Sequence, residues 1–540
     1  MEKADTRQLS CGNKKELKTM KNKYILSAAA LLTATLAISS CGGSNYKSGA
    51  VTTAAAMNYD MIYPMAEEYT VQETEFNTEE YSAITENTFM STVSDPLSTF
   101  SIDVDTASYS NIRRMIDRGR DIPADAVRIE EMINYFDYSY PEPKDGEPFS
   151  VSTEITDCPW NSDTKLMRIG LKSMDIDLSQ RAPMNLVFLI DVSGSMSDDD
   201  KLPLVQRSFS ILTDQLTPQD RISIVTYAGE DKVVLEGADG NDRQRILDAI
   251  THLEAGGSTA GSKGITTAYE IAEKNFIQGG NNRIILATDG DLNVGVTSEA
   301  ELKALVEKKR EGGVFLSVLG FGQGNIKDNK METLADNGNG AYSYIDSERE
   351  ARKVLCEEMA ASFITVAKDV KIQVEFNPAY IKGYRQIGYE NRTMSAEDFN
   401  NDEKDAGEIG AGHTVTALYE IVYKDSKMDL ASSDLKYSDT SALGTENGEL
   451  LTVSVRYKAP DSDESKLLTY PVTDQTYTQV MSEDMSFAAA VAEFGMLLRN
   501  SAYKGSTTQD SILALVGNCN IENDEYKQEF VQLVKAANLQ

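Results

Sequence analysis

Between Phe188 and Asp200 the chain reads FLIDVSGSMSDDD, an apolar stretch that runs into an aspartate and then two serines at alternate positions around a glycine. In an extended turn Asp191, Ser193 and Ser195 point the same way, and Gly194 lets the backbone curve without a side-chain clash. One carboxylate and two hydroxyls are hard oxygen donors, which suit Mg2+ or Mn2+ rather than zinc or copper. Three donors do not fill an octahedron, so the rest must come from neighbouring strand ends. Two later stretches offer them. EAGGSTAGSKGI places Thr259 in a glycine-rich loop immediately before a helix, and ATDGDLNVG places Asp289 at the end of another apolar strand.

The elements that must position these groups follow a regular pattern from 184 to 350. NLVFLID, RISIVTY, RIILATDG and VFLSVLGFG are short Val/Ile/Leu-rich runs, as strands buried on both faces should be. Helical stretches alternate with them, including LPLVQRSFSILTDQL and SEAELKALVEKKR, the latter opening on a capping box of Ser298 and Glu301. This α/β alternation predicts a central doubly wound, mostly parallel, Rossmann-like sheet. In such a sheet ligands bind beyond the carboxyl ends of the strands, which is where Asp191 stands.

Asp191, Ser193, Ser195, Thr259 and Asp289 occur in order, each at an expected strand end, and together resemble the metal-ion-dependent adhesion site of von Willebrand factor type A (VWA) domains. The resemblance implies that Asp191, Ser193, Ser195 and Thr259 contact the ion directly or through water, that Asp289 acts through water, and that an acidic side chain of a protein partner takes the last position. Two protein carboxylates leave a divalent cation electrophilic enough to attract a third; without the metal the same acids repel it.

Around the centre we expect a signal segment over 1–40 with the true start at Met20, a lipid-anchored flexible linker over 41–90, and a small N-terminal helical module over 91–147. Connecting strands over 148–183 then lead to the VWA domain over 184–357, followed by a β-rich module over 358–484 and a C-terminal helical tail over 485–540. In the helical module Ile112, Met115 and Ile116 share a face before Gly119, and DAVRIEEMINYF carries a second stripe with Asp125 as its N-cap. In the β-rich module the period changes to two: Val370, Ile372, Val374 and Phe376, then Val415, Ala417, Tyr419, Ile421 and Tyr423, then Leu451, Val453, Val455 and Tyr457. The tail returns to helical spacing, with Phe487, Val491, Phe494 and Leu498 on one face. These flanks resemble those of a bacterial subgroup of exported VWA proteins.

Lys21 and Lys23 precede ILSAAALLTATLAIS, which is too short to span a bilayer and reads as an export signal. It ends in Ile38-Ser39-Ser40-Cys41-Gly42, which resembles the lipobox of bacterial lipoproteins. That resemblance implies lipidation of Cys41 and a membrane-anchored protein of the bacterial cell envelope, facing the periplasm or the surface. The charge balance, 85 acidic against 52 basic side chains for a net charge of -33, argues against a nucleic-acid partner. His252 and His413, the two histidines, lie in different segments and give zinc chemistry little to work with. Cys158, Cys356 and Cys519 are scattered and define no disulfide framework.

Other patterns invite chemistry and fail on their details. Asp103-Val104-Asp105-Thr106 resembles the phosphotransferase signature of haloacid-dehalogenase-like enzymes, but Ala107 stands where that signature has Thr or Val, so we expect helix capping from these acids. Asp289, Asp291 and Asn293 begin like a calcium loop without its glycine spacing or closing glutamate, and LGFGQG lacks the third glycine of a dinucleotide fingerprint. Asp198 to Asp200 read as a solvated charged turn. The expectation is a lipid-anchored envelope protein that binds a protein partner through a Mg2+-occupied adhesion site and catalyses nothing. The alternatives are an envelope assembly scaffold with a structural metal, and a magnesium-dependent phosphohydrolase using Asp103 and Asp105.

Overall fold

The computed structural model describes residues 77–102, 105–144, 146–176, 181–257, 263–290, 299–358, 363–430, 444–537 and 539. The signal segment, Cys41, Thr259, Asp103, Asp291, Asn293 and Ser298 lie outside them. In chain order the elements begin with β1 (Met90–Ser91), β2 (Leu97–Ser101), α1 (Ala107–Asp117), α2 (Ile129–Asn134), β3 (Phe149–Asp157) and β4 (Lys165–Ser173). There follow β5 (Met184–Asp191), α3 (Leu202–Thr213), β6 (Arg221–Ala228), β7 (Glu230–Asp239), α4 (Arg243–Thr251), α5 (Gly264–Lys274), β8 (Asn281–Thr288), α6 (Glu299–Glu311), β9 (Val314–Phe321), α7 (Asp328–Asn337), β10 (Tyr342–Ile345) and α8 (Glu348–Arg352). The last third holds β11 (Thr365–Phe376), β12 (Ile381–Ile387), β13 (Gly407–Gly410), β14 (Thr414–Tyr423), β15 (Glu449–Lys458), β16 (Ser465–Thr473), α9 (Glu483–Leu498), α10 (Gln509–Val516) and α11 (Glu525–Ala536).

Every residue of β5 is buried, because the strand lies at the centre of a sheet ordered β10-β9-β8-β5-β6-β7 with helices on both faces. Leu186, Phe188 and Ile190 enter the core under α3 and α4, while Val187 and Leu189 enter the opposite core under α5, α6 and α7. The strand alternation that puts side chains on two faces therefore reads as one continuous apolar run. All pairs are parallel except β6 with β7, an antiparallel edge that the apolar runs did not announce.

The flanks depart from the linear expectation. β3 and β4, expected as connectors, sit in a five-stranded sheet β1-β12-β14-β4-β3, with β4 and β14 antiparallel along Ile169↔Ala417. This sheet packs on a second one, β13-β11-β15-β16 with β2 alongside β11, and alternate residues such as Ile372, Val374, Tyr419 and Val453 fill the sandwich. Nor do the N-terminal helices form a module of their own. α1 and α2 share one core with α9, α10 and α11, which also encloses Trp160, the single tryptophan.

That helical layer covers the outer face of the first sheet. Leu418 of β14 therefore joins the helical core, and Thr416 and Glu420, on the face that alternation would leave to solvent, are buried. α9 was expected to show one apolar face; instead residues all round it are buried, from Met485 to Met496. At Gly495 a Cβ would lie 2.9 Å from Ile129, so the glycine lets α2 approach.

Asp125, expected to cap α2, accepts a hydrogen bond from the Ile84 amide instead, 2.9 Å away. Asp105 is not a cap either: its Oδ1 accepts from the Tyr342 amide at 2.8 Å, and the first turn of α1 is satisfied by Glu131 of α2, whose Oε2 accepts from the Ser108 amide at 2.9 Å.

Glu493, inside α9, accepts a hydrogen bond from Ser511 Oγ at 2.6 Å on one oxygen, while Oε1 is buried without a partner. Burial pushes its carboxyl up from 4.5 to about 7. The folded chain therefore holds a proton there that the unfolded chain releases, and this contribution to stability, full below pH 4.5, is lost as pH rises through 7. Glu493→Gln should match the parent at pH 4.5 and exceed it by about 2–3 kcal/mol at pH 8, measured by urea unfolding at both values.

Candidate metal-binding site

β5 and β8 are parallel neighbours and end side by side, so Asp191, the last residue of β5, stands next to Thr288 and Asp289. Beyond Asp191 the chain turns through a single 3-10 segment, Gly194–Ser197. Ser193 donates its backbone N–H to Asp191 Oδ1 at 2.8 Å, and its Oγ lies 3.0 Å from Ser195 Oγ. Exposure rises along the comb, from Asp191 at 0% and Ser193 at 1% to an exposed Ser195. The oxygens line a descent from the surface to a buried carboxylate. The glycine-rich loop that leads to Thr259 docks on this turn: Gly194 N donates to Gly257 O at 3.2 Å, and Gly256 N to Val192 O at 2.8 Å. The side chain of Thr259 itself is outside the described residues.

Three further residues shape the site. Thr288 Oγ1 stands 3.5 Å from Asp191 Oδ2 and accepts from the Gly290 amide at 3.2 Å. Gly290, at φ +109, brings its loop so close to Asn325 that a Cβ would sit 2.3 Å from that carbonyl oxygen. Lys201 stands at the start of α3, and its Nζ donates to Asp289 Oδ2 at 3.0 Å and to the Ser195 carbonyl at 2.9 Å. The three expected acids after the comb split: Asp200 pairs with Arg118 at 3.1 Å, Asp198 lies 3.9 Å from Lys201 and Asp199 is exposed.

Burial pushes the Asp191 carboxyl up to about 6, against the lowering effect of its hydrogen bonds from Ser193, and the charge of Asp289 pushes it the same way. A buried carboxylate in surplus negative charge, with hydroxyl oxygens around it, is the setting a hard divalent cation relieves. The donors in hand fit Mg2+ or Mn2+: carboxylates of Asp191 and Asp289 and hydroxyls of Ser193 and Ser195.

A second acidic group has a different character. Carboxylate oxygens of Asp105, Glu131 and Glu332 lie within 4.8 Å of one another, all buried. Two arginines thread the group: Arg128 pairs with Glu131 and, at 2.6 Å, with Asp328, and Arg392 meets Asp105 at 3.1 Å and Glu332 at 2.8 Å. Asp105 is thus a buried structural acid at the junction of α1, α7, β10 and the loop after β12, rather than a nucleophile open to a substrate.

Residues expected as the end of a flexible linker are fastened beside the candidate site. Thr78 N donates to Gly324 O at 2.8 Å, Glu80 N to Ile326 O at 2.9 Å, and Glu79 pairs with Arg114 at 2.8 Å. His252 ends α4 and His413 precedes β14, both away from these groups in sequence. Cys158, Cys356 and Cys519 are free thiols, and no helix among the described residues is long and apolar enough to cross a membrane.

The von Willebrand factor type A domain family matches residues 185–356, a family described as von Willebrand factor matches 75–168, and one described as uncharacterized protein YfbK, C-terminal, matches 361–539. The chain is 42% identical to uncharacterized protein YfbK of Escherichia coli (strain K12) over 471 residues, 85% of this chain and 81% of that protein. It is 30% identical to inter-alpha-trypsin inhibitor heavy chain H4 of Bos taurus over 148 residues, 26% of this chain and 16% of that one. Among solved structures, von Willebrand factor type A from Catenulispora acidiphila aligns with 74% of this chain and 91% of its own, at 16% identity and a TM-score of 0.41.

Proposed function

The chain belongs to the family of VWA-domain proteins that includes YfbK of Escherichia coli, and on that premise we propose that it is a lipid-anchored protein of the bacterial envelope that captures a protein partner through a Mg2+-dependent adhesion site. The observation that supports this most is the convergence of Asp191, Ser193, Ser195 and Asp289 at the ends of two adjacent parallel strands. Asp191 and the two serine hydroxyls would hold the ion from one side, with Thr259 and Asp289 completing the set, and the exposed edge at Ser195 leaves an approach from solvent. A bound Mg2+ supplies a Lewis-acidic centre for a partner's carboxylate. Cys41 would carry the lipid, and the role is binding without catalysis.

The direct test is a titration of the purified full chain with Mg2+ and Mn2+ in a calorimeter, followed by capture of envelope proteins with Mg2+ and with EDTA. We expect one ion per chain and a captured partner that EDTA releases. Absence of any uptake refutes the reading; capture that persists in EDTA favours an assembly scaffold.

A further inference from the structure

Lys201 has a 7% exposed side chain, and an ammonium so placed is costly unless paired. Its Nζ is held by Asp289 Oδ2 and the Ser195 carbonyl, one group from each strand end of the proposed site. The stem is held too. It passes over Gly322, at φ +71 just beyond β9, where a Cβ would lie 2.4 Å from Lys201 Cγ and 2.5 Å from Cε. Any other residue at 322 would strain the backbone and displace the lysine. The loop that carries Ser193 and Ser195 also delivers Lys201, whose amide donates to Asp198 O at 2.9 Å as α3 begins. A third strand end, that of β9, is thus recruited to hold a cation among the expected metal ligands.

The charges decide what this does. Two carboxylates alone would make a Mg2+-loaded site neutral, content with water or another neutral oxygen in the open position. With an ammonium fixed on Asp289, the buried set of Asp191, Asp289, Lys201 and a bound Mg2+ keeps one net positive charge, which the exposed Asp198, 3.9 Å from Nζ and screened by solvent, offsets weakly. We infer that Lys201 is an internal counter-cation that trades metal affinity for ligand selectivity, so that the loaded site selects a carboxylate over neutral oxygen ligands. The inference rests on the metal reading above and adds to it which class of group the open position takes.

The test compares the full-length parent with Lys201→Met. Calorimetry with MgCl2 should show Mg2+ bound roughly tenfold more tightly by the variant, since one nearby repelling charge is gone. Acetate should bind the Mn2+-loaded variant roughly tenfold more weakly than the parent, read from the water relaxation of the bound Mn2+. The metal-free variant should melt lower than the parent and gain more from Mg2+. A purely structural lysine would lower melting in both states and leave Mg2+ affinity where it was; that result, or weaker Mg2+ binding, overturns the proposal. If the methionine variant does not fold, Lys201→Gln, which removes the charge and keeps a hydrogen-bond donor on the side chain, must show the same shifts. Failure of the parent to take up Mg2+ would instead remove the metal reading itself.

Discussion

Asp191→Asn is expected to cost the chain on the order of 100-fold or more in Mg2+ affinity and to end Mg2+-dependent capture, with the fold intact. The amide keeps the shape of the side chain and can still accept from the Ser193 amide, so the turn at the end of β5 stays in place. What it removes is the most buried formal charge of the donor set, at 0% exposure. Little solvent is available there to substitute for it, and a neutral amide oxygen is a far weaker partner for a hard dication than a carboxylate. Removing the charge also relieves the burial cost and, to a lesser degree, the repulsion from Asp289 that together raise the Asp191 carboxyl, so the metal-free variant should melt at or above the parent. Loss of metal binding with retained or raised melting temperature distinguishes a ligand from a structural acid; parental affinity in Asp191→Asn would remove this residue from the site.

Arg113→Ala is expected to lower stability by about 3–5 kcal/mol, because it strands buried acids on two other parts of the chain. Arg113 of α1 meets Asp346 at 2.6 Å and Glu350 at 2.7 Å beside β10 and α8, Glu529 of α11 at 3.0 Å, and Tyr135 Oη at 2.9 Å. One side chain therefore joins the first helix, the edge of the parallel sheet and the last helix. Trp160 lies in the helical core, so its fluorescence reports that layer directly. Urea unfolding should show the Trp160 transition move to lower denaturant in the variant. A midpoint shift corresponding to less than 1 kcal/mol would mean that the helical layer stands without this junction.

How much of this could be read from residues alone depends on the range of the forces involved. β5 and its parallel neighbours were legible because burial on both faces writes itself into every position, and the comb of Asp191, Ser193 and Ser195 was legible because its spacing is local. The partners of β3 and β4 were not, since Ile169 pairs with Ala417 across nearly half the length of the chain and period-two patterning does not say which strand lies alongside. α9 reads as one-sided because its alanines, small and neutral in any pattern, give no sign in the sequence that they are buried in the helical core. Lys201 was hidden in the charged run SDDDKL, where a lysine reads as solvated; only Gly322, far along the chain, reveals that it is enclosed.

The fastening of residues 78–80 has a mechanical meaning. Among the described residues it is the first attachment that tension arriving from the N-terminal side would meet, and it grips the segment from Gly324 to Asp328 through Thr78, Glu79 and Glu80. That segment continues directly from Gly322, against which the Lys201 stem rests. If the chain is tethered upstream and loaded at the proposed site, the pull arrives at the segment against which Lys201 rests before strain reaches the sheet.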